Sequence, residues 1–141
     1  MINDDLKLTG ALTIALNDEI VQKTKNLVVT AGKNWVASRM KDTTQDAMSH
    51  MAVGTGTTQA LAAQTTLVTE NDRNALTSTT VTGNAIAYVA TWAANDATAA
   101  LTEAGIFDAA SGGDMLCRTK FDVVNKGAAD SMTITWTITV S

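Results

Sequence analysis

The sequence predicts an all-β chain: an antiparallel, jelly-roll-like β-sandwich with one short α-helix near residues 30–41, folded as a single domain over 1–141. Three observations carry this. Met132, Ile134, Trp136, Ile138 and Val140 alternate without a break with Ser131, Thr133, Thr135, Thr137 and Thr139. Successive strand residues point to opposite faces, so a period of two gathers the apolar groups on one side, whereas a helix would scatter them. Leu6, Leu8, Gly10, Leu12, Ile14 and Leu16 repeat the pattern near the other end, alternating with Lys7, Thr9, Ala11, Thr13 and Ala15. Between such runs, turn-forming clusters recur at spacings too uneven for a meander and better suited to a Greek key or jelly roll.

Taken in order, the first strand carries Gly10 as a bulge or a close contact. Asn17-Asp18-Glu19 turns the chain, and Ile20 to Lys25 returns as a short strand. Thr30 is placed to cap a helix over Ala31–Met40, its hydroxyl accepting from a free amide of the first turn. Trp35, Val36 and Met40, with Ala31, share one helical face, while Arg39 and Lys41 suit the negative C-terminal end. Gly32 weakens this helix by roughly 1 kcal/mol relative to Ala, so packing must sustain it.

Asp42 to Asp46 reads as a polar loop, and Met48 to Val53 as a strand stopped by Gly54-Thr55-Gly56-Thr57-Thr58. Residues 57–72 read as a long loop with a turn of helix near Ala60–Ala63. Arg73 to Thr82 reads as one strand, Gly83-Asn84 as a tight turn and Ala85 to Ala94 as the return. On that return Ile86, Tyr88, Ala90 and Trp92 share one face and Ala85, Ala87, Val89, Thr91 and Ala93 the other. Neither face has a charge, which predicts burial on both sides. Leu101 to Asp108, the turn Ser111-Gly112-Gly113-Asp114 and Met115 to Val124 form a hairpin. In its second arm Met115, Cys117, Thr119 and Phe121 oppose Leu116, Arg118, Lys120 and Asp122. The total is about seven or eight strands.

Composition removes several function classes. Net charge is −4 and no basic block exists, so the electrostatic footprint of a DNA or RNA binder is missing. No apolar run is long enough for a membrane-spanning helix, and the first residues, Met1 to Lys7, lack secretory character. The expectation is a chain made in a cytoplasm, with neither nucleic acid nor membrane as partner. Charged residues are 17%, below the usual quarter, which leaves uncharged surface available for burial between subunits.

Candidate chemistry is sparse, and the chain reads as neither an enzyme nor a cofactor carrier. His50, the only histidine, lies among Met48, Ser49, Met51 and Ala52 and reads as structural. Cys117 is the only cysteine; it reads as a buried thiol, although Arg118 beside it could lower its pKa. Together these two cannot make a zinc site of the familiar kind. Gly54-Thr55-Gly56-Thr57-Thr58 lacks the lysine of a P-loop and reads as a turn. Glu70, Asp72 and Arg73 read as strand-end charges. Glu103 interrupts an apolar strand, and is expected to bind backbone amides at a bend or to pair with an arginine. Trp35, Trp92 and Trp136 are the large anchors; Trp136 belongs to the core, and Trp92 is the tryptophan most suited to an interface.

Leu101–Thr119 and Ser131–Val140, with Asn26–Met40 and Met51–Gly56, resemble small virion structural proteins of tailed bacteriophages. Members of that group include capsid decoration (cement) proteins and others labelled tail or tail-fibre components. The resemblance implies a jelly-roll-like subunit that assembles as a homotrimer on the outer face of an icosahedral shell and binds the major capsid protein. It brings no catalytic residues. The residues expected at the assembly interface are Trp92, Tyr88, Val89, Thr135 and Thr137, with the N-terminal acidic residues or the Gly54–Asp72 loop reaching the shell. Two other readings stay open: a tail, baseplate or fibre-base protein of the same fold, and a carbohydrate-binding or hydrolytic sandwich using Glu103, Glu70 and Trp92.

Overall fold

A computed structural model describes residues 6–41 and 45–141. Ten strands and one helix follow in the order β1 (Leu8–Leu16), β2 (Glu19–Lys25), β3 (Leu27–Val28), α1 (Thr30–Met40), β4 (His50–Gly54), β5 (Glu70–Ala75), β6 (Ser78–Thr82), β7 (Ala85–Trp92), β8 (Ala99–Phe107), β9 (Met115–Lys126) and β10 (Met132–Val140). They form two antiparallel five-stranded sheets, ordered β2-β1-β10-β7-β6 (the first sheet) and β3-β9-β8-β4-β5 (the second sheet). The all-β sandwich with one helix is therefore as expected. So is the absence of a meander: β10, the last strand, lies between β1 and β7, and β4 pairs with β8.

Alternation decides the layers. Leu12 and Ile14 of β1, Tyr88, Ala90 and Trp92 of β7, and Met132, Ile134, Trp136 and Ile138 of β10 point inward from the first sheet. They meet Met51 and Val53 of β4, Leu101, Ala104 and Ile106 of β8, and Cys117, Phe121 and Val124 of β9. Trp136 occupies the centre, and its indole Nε1 donates to Asn26 Oδ1 at 2.8 Å. Gly10 makes this contact fit. A Cβ there would collide with the Asn26 side chain and with Ile138, so Gly10 is a close approach and not a bulge. The irregularity in this hairpin lies at Ile14/Ala15, and the turn before β2 places Asn17 and Asp18 at positive φ, where these residue types are tolerated.

A smaller cluster of Val29, Ala52, Leu67, Phe107 and Met115, with Ala31 against it, covers the outside of the second sheet. Met115 is thus parted from Cys117, contrary to the alternation read from sequence, because the β8–β9 register shifts at Ile106/Phe107. The helix packs on β9, with Ala31 against this cluster and Trp35 and Val36 against the core between the sheets. Val29 is its N-cap residue, with no side-chain cap bond, so Thr30 does not cap it. The Thr30 amide instead donates to the Ala62 carbonyl at 2.8 Å, tying the helix to the long loop. Trp35 and Val36 rest against the core, but Met40 is 79% exposed, so the packing face is narrower than expected.

Gly32 is the one buried residue of the helix, and a Cβ on it would overlap the Leu116 backbone. Helix propensity alone favours Ala by about 1 kcal/mol. The contact reverses the sign, so Gly32→Ala is expected to lower the melting temperature, and a raised one would refute the close approach.

The expected strand Arg73–Thr82 is two strands in different sheets. At Leu76 and Thr77 the chain crosses over: the Leu76 amide donates to Ser49 O at 2.9 Å in the second sheet, and the Thr77 amide to Val89 O at 2.7 Å in the first. This split, and the two-residue β3, raise the strand number beyond that read from sequence. Residues 57–69 hold turns but no helix near Ala60–Ala63. Of the expected loop Asp42–Asp46, residues 42–44 lie outside the described residues, as do the N-terminal acidic residues Asp4 and Asp5.

Candidate functional site

Glu103 lies on the outer side of β8, fully buried beneath the loop that joins β4 to β5. Its Oε2 accepts from the amides of Gly56 at 2.6 Å and Thr69 at 2.8 Å. Its Oε1 accepts from the Val68 amide at 2.8 Å and from Arg118 Nη2 at 2.9 Å and Nε at 3.1 Å. Both predicted partners, backbone amides and an arginine, are therefore present at once. Burial pushes this carboxyl up, but the three amides and the guanidinium outweigh it and hold it below its usual 4.5.

The glycines of Gly54-Thr55-Gly56 are explained by the same group. A Cβ on Gly54 would meet the Thr69 carbonyl and the Glu103 carboxylate; one on Gly56 would meet that carboxylate and Val68. The loop does present backbone amides to an anion, as a phosphate loop would, and the anion is Glu103 of the same chain. Thr102 Oγ1 donates to the Gly56 carbonyl at 2.7 Å, and Arg118 Nη1 reaches Gln64 Oε1 at 3.2 Å. Gln64 Oε1 also accepts from the Leu61 amide at 2.9 Å. A long loop is thus pinned along much of its length.

Arg118 is what the sequence reading missed in this cluster. Its place in the sequence suggests a neighbour that tunes Cys117, yet it is wholly buried against Glu103. Lys126 is the second omission, buried with Nζ donating to the Ala93 carbonyl at 2.9 Å. A basic residue in an apolar strand paired to one holding Glu103 was the available signal for Arg118; nothing local marked Lys126.

The remaining candidates take structural places. His50 Nδ1 lies 2.7 Å from Ser49 Oγ. Cys117 is buried, and burial pushes its thiol well above 9.0. Arg73 pairs with Glu70 at 2.7 Å, donates to the Ala109 and Gly112 carbonyls and sits 3.7 Å from the centroid of the Phe107 ring. Asp72 is not part of that pair. Trp92 faces the core between the sheets while Glu103 lies outside the second sheet, so Glu103, Glu70 and Trp92 do not line one open site. Among the described residues no group of three or more His, Cys, Asp or Glu could hold a metal ion, and no helix is long and apolar enough to cross a membrane.

The expected interface residues separate by face. Trp92 is 0% and Tyr88 4% exposed, both inside the core, where burial raises the Tyr88 phenol to about 12. They are corrected from interface to core, since their face of β7 is the one turned toward the second sheet. Val89, Thr135 and Thr137 lie on the outer face. Register places Thr13, Thr135, Val89 and Ser78 in one row across β1, β10, β7 and β6. Ala11, Thr137, Ala87 and Thr80 form the next, and Thr9, Thr139, Ala85 and Thr82 the third. Every one of these is Ala, Thr, Ser or Val. Among the described residues charge returns on β2, where Lys25 and Lys23 face Ala11 and Thr13, and at exposed Lys7, two residues before Thr9. The two sheets therefore differ: the β4–β5 loop covers the outside of the second sheet, and the outer face of the first is bare. A shallow depression of about 390 Å³ lies on it between Thr9, Gly10, Ala11, Lys25, Thr137 and Thr139.

Comparison with protein-family models, curated proteins and solved structures found no match for this chain.

Proposed function

We propose that this chain is a structural protein that works by binding protein through the bare outer face of its first sheet. In the setting the sequence resemblance implies, it is a capsid decoration protein of a tailed bacteriophage, a homotrimer bound to the major capsid protein on the outside of the shell. The observation that supports the reading is the uncharged face across β1, β10, β7 and β6. Charged groups are depleted at the centres of protein interfaces because they must be desolvated on binding, whereas threonine hydroxyls can exchange water for partner groups. With strands about 4.8 Å apart and about 3.3 Å per residue, four strands offer roughly 500 Å² in plan. That is of the order that one side of a stable interface buries.

Such a protein needs no catalytic group. Binding the assembled shell and not its free parts stabilises the shell by mass action, and cyclic symmetry repeats a modest patch several times within one attachment. The clamped β4–β5 loop fits this role as a rigid outer surface on the opposite side. A tail or baseplate component would share these properties, and copy number in the particle separates the two: hundreds for a decoration protein, few for a tail part.

Thr135→Lys and Thr137→Lys test the face directly. Both positions are solvent-facing in the single chain, so the variant is expected to keep its melting temperature and lose the trimer and shell binding. Light scattering that still reports the wild-type mass, with wild-type shell binding, would remove the face from the interface.

A further inference from the structure

The four strand edges of the sandwich are not equally protected. Among the described residues, β3 is two residues long and β5 carries Glu70, Asp72 and Arg73. At the far side of the first sheet, β2 carries Glu19, Lys23 and Lys25 and its pairing with β1 is irregular. Shortness, charge and irregular register are the devices by which sheet edges avoid pairing with other chains. The edge strand β6, Ser78-Thr79-Thr80-Val81-Thr82, has none of them. All five residues are exposed, none is charged or proline, and the pairing with β7 runs without a shift. Every second residue of an edge strand turns its N–H and C=O outward, so this edge presents unpaired backbone groups to solvent.

We infer that β6 is a self-pairing edge, which joins a second copy of this chain through an antiparallel β6–β6 contact about a two-fold axis at Thr80. The occupant follows from charge and register. A two-fold contact brings the same patch of both copies together and sets the residue on the axis against its own copy, so on a chain of net charge −4 an uncharged edge is a place where copies meet without repulsion. Pairing about Thr80 is the only symmetric register that uses all five residues: Thr80 faces Thr80 of the second copy, Thr79 faces Val81, and Ser78 faces Thr82. It keeps like faces together, so the outer rows continue across the axis, and it covers Val81, which is 69% exposed. A contact of this length is smaller than a stable interface, about 1,200 Å² in total, and the association is accordingly weak and concentration-dependent. It goes beyond the proposed function and does not rest on it: it uses the backbone edge of β6 and not the face of the sheet, and a two-fold pairing would join trimers rather than close one.

Cysteine substitution reads the register. Facing residues in an antiparallel pair have Cα atoms about 4.5–5.5 Å apart, within the roughly 4.4–6.8 Å that a disulfide spans. Under mild oxidation Thr80→Cys is expected to give a covalent dimer, and Ser78→Cys, which faces Thr82, is not; the native Cys117 is buried and does not compete. The Ser78→Cys/Thr82→Cys double variant should restore the crosslink. In sedimentation, Thr80→Lys should weaken two-fold association about tenfold with an unchanged melting temperature, because two ammonium groups then face each other across the axis. Equal crosslinking by Ser78→Cys and Thr80→Cys overturns the register. No Thr80→Cys dimer at hundreds of micromolar overturns self-pairing, whether or not a foreign strand is then found on the edge. Thr135→Lys/Thr137→Lys separates the two ideas, since it should leave the Thr80→Cys crosslink intact even where it abolishes the trimer.

Discussion

Glu103→Gln is expected to destabilise the fold by about 3–5 kcal/mol, as breaking a buried ion pair by removing one partner generally does. The glutamine keeps the shape but places an NH2 group among donors: the amides of Gly56, Val68 and Thr69 and the Arg118 guanidinium. It also leaves Arg118 buried without its counter-charge. Chemical denaturation monitored by tryptophan fluorescence measures the loss, and hydrogen exchange should place the largest change at 55–69. The Glu103→Gln/Arg118→Met double variant should lose less than the sum of the single losses, because it removes both buried charges. Strict additivity would show that the pair is not coupled.

The pH dependence follows from the direction of the Glu103 shift. Its carboxyl is held below 4.5 in the folded chain, so the unfolded chain takes up the proton first as pH falls. The contribution is fully present above about pH 4.5 and is lost as pH drops through the folded value. The gap between wild type and Glu103→Gln should therefore be constant near neutrality and close in acid. A gap that persists unchanged to low pH would show that packing, not charge, underlies it.

Trp136→Ala should cost a similar amount, about 3–5 kcal/mol, by a different route. Trp136 is wholly buried at the centre of the sandwich, on the strand that bonds to both β1 and β7. Removing the indole leaves a cavity that two regular sheets cannot collapse around, and it strips Asn26 Oδ1 of its 2.8 Å donor. Asn26 Nδ2 already has no partner in the structure, so the amide would be left with little to hold it. Trp136→Phe isolates the second effect, with an expected loss of about 1–2 kcal/mol. A melting temperature for Trp136→Ala within a degree or two of wild type would show that the site had repacked.

Legibility tracked how local the determining physics was. The alternation in β1, β7 and β10 is a property of neighbouring residues, and it correctly sorted Trp136, Ile134 and Leu12 to the inside and Thr135 and Thr137 to the outside. The same alternation places Tyr88 and Trp92 on one side of β7 and Val89 on the other, and only the Val89 side faces outward. Glu103 was recognisable as an oddity, because a carboxylate inside an apolar strand must find donors. Its donors lie 15 residues away or more, at Gly56, Val68, Thr69 and Arg118, and no spacing announces them.

By itself, then, the sequence determined the two-faced strands, the single short helix and the uncharged character of the threonine rows, since each depends on the identity and order of adjacent residues. Only the tertiary structure decided which face stays uncovered. The β4–β5 loop closes over the second sheet because Glu103 and Arg118 pin it, and Gly32 lets α1 reach β9. Among the described residues no comparable buried anchor stands on the outside of the first sheet. Its rows are aligned by the register of four strands drawn from both ends and the middle of the chain, and that alignment arises only when β10 inserts between β1 and β7.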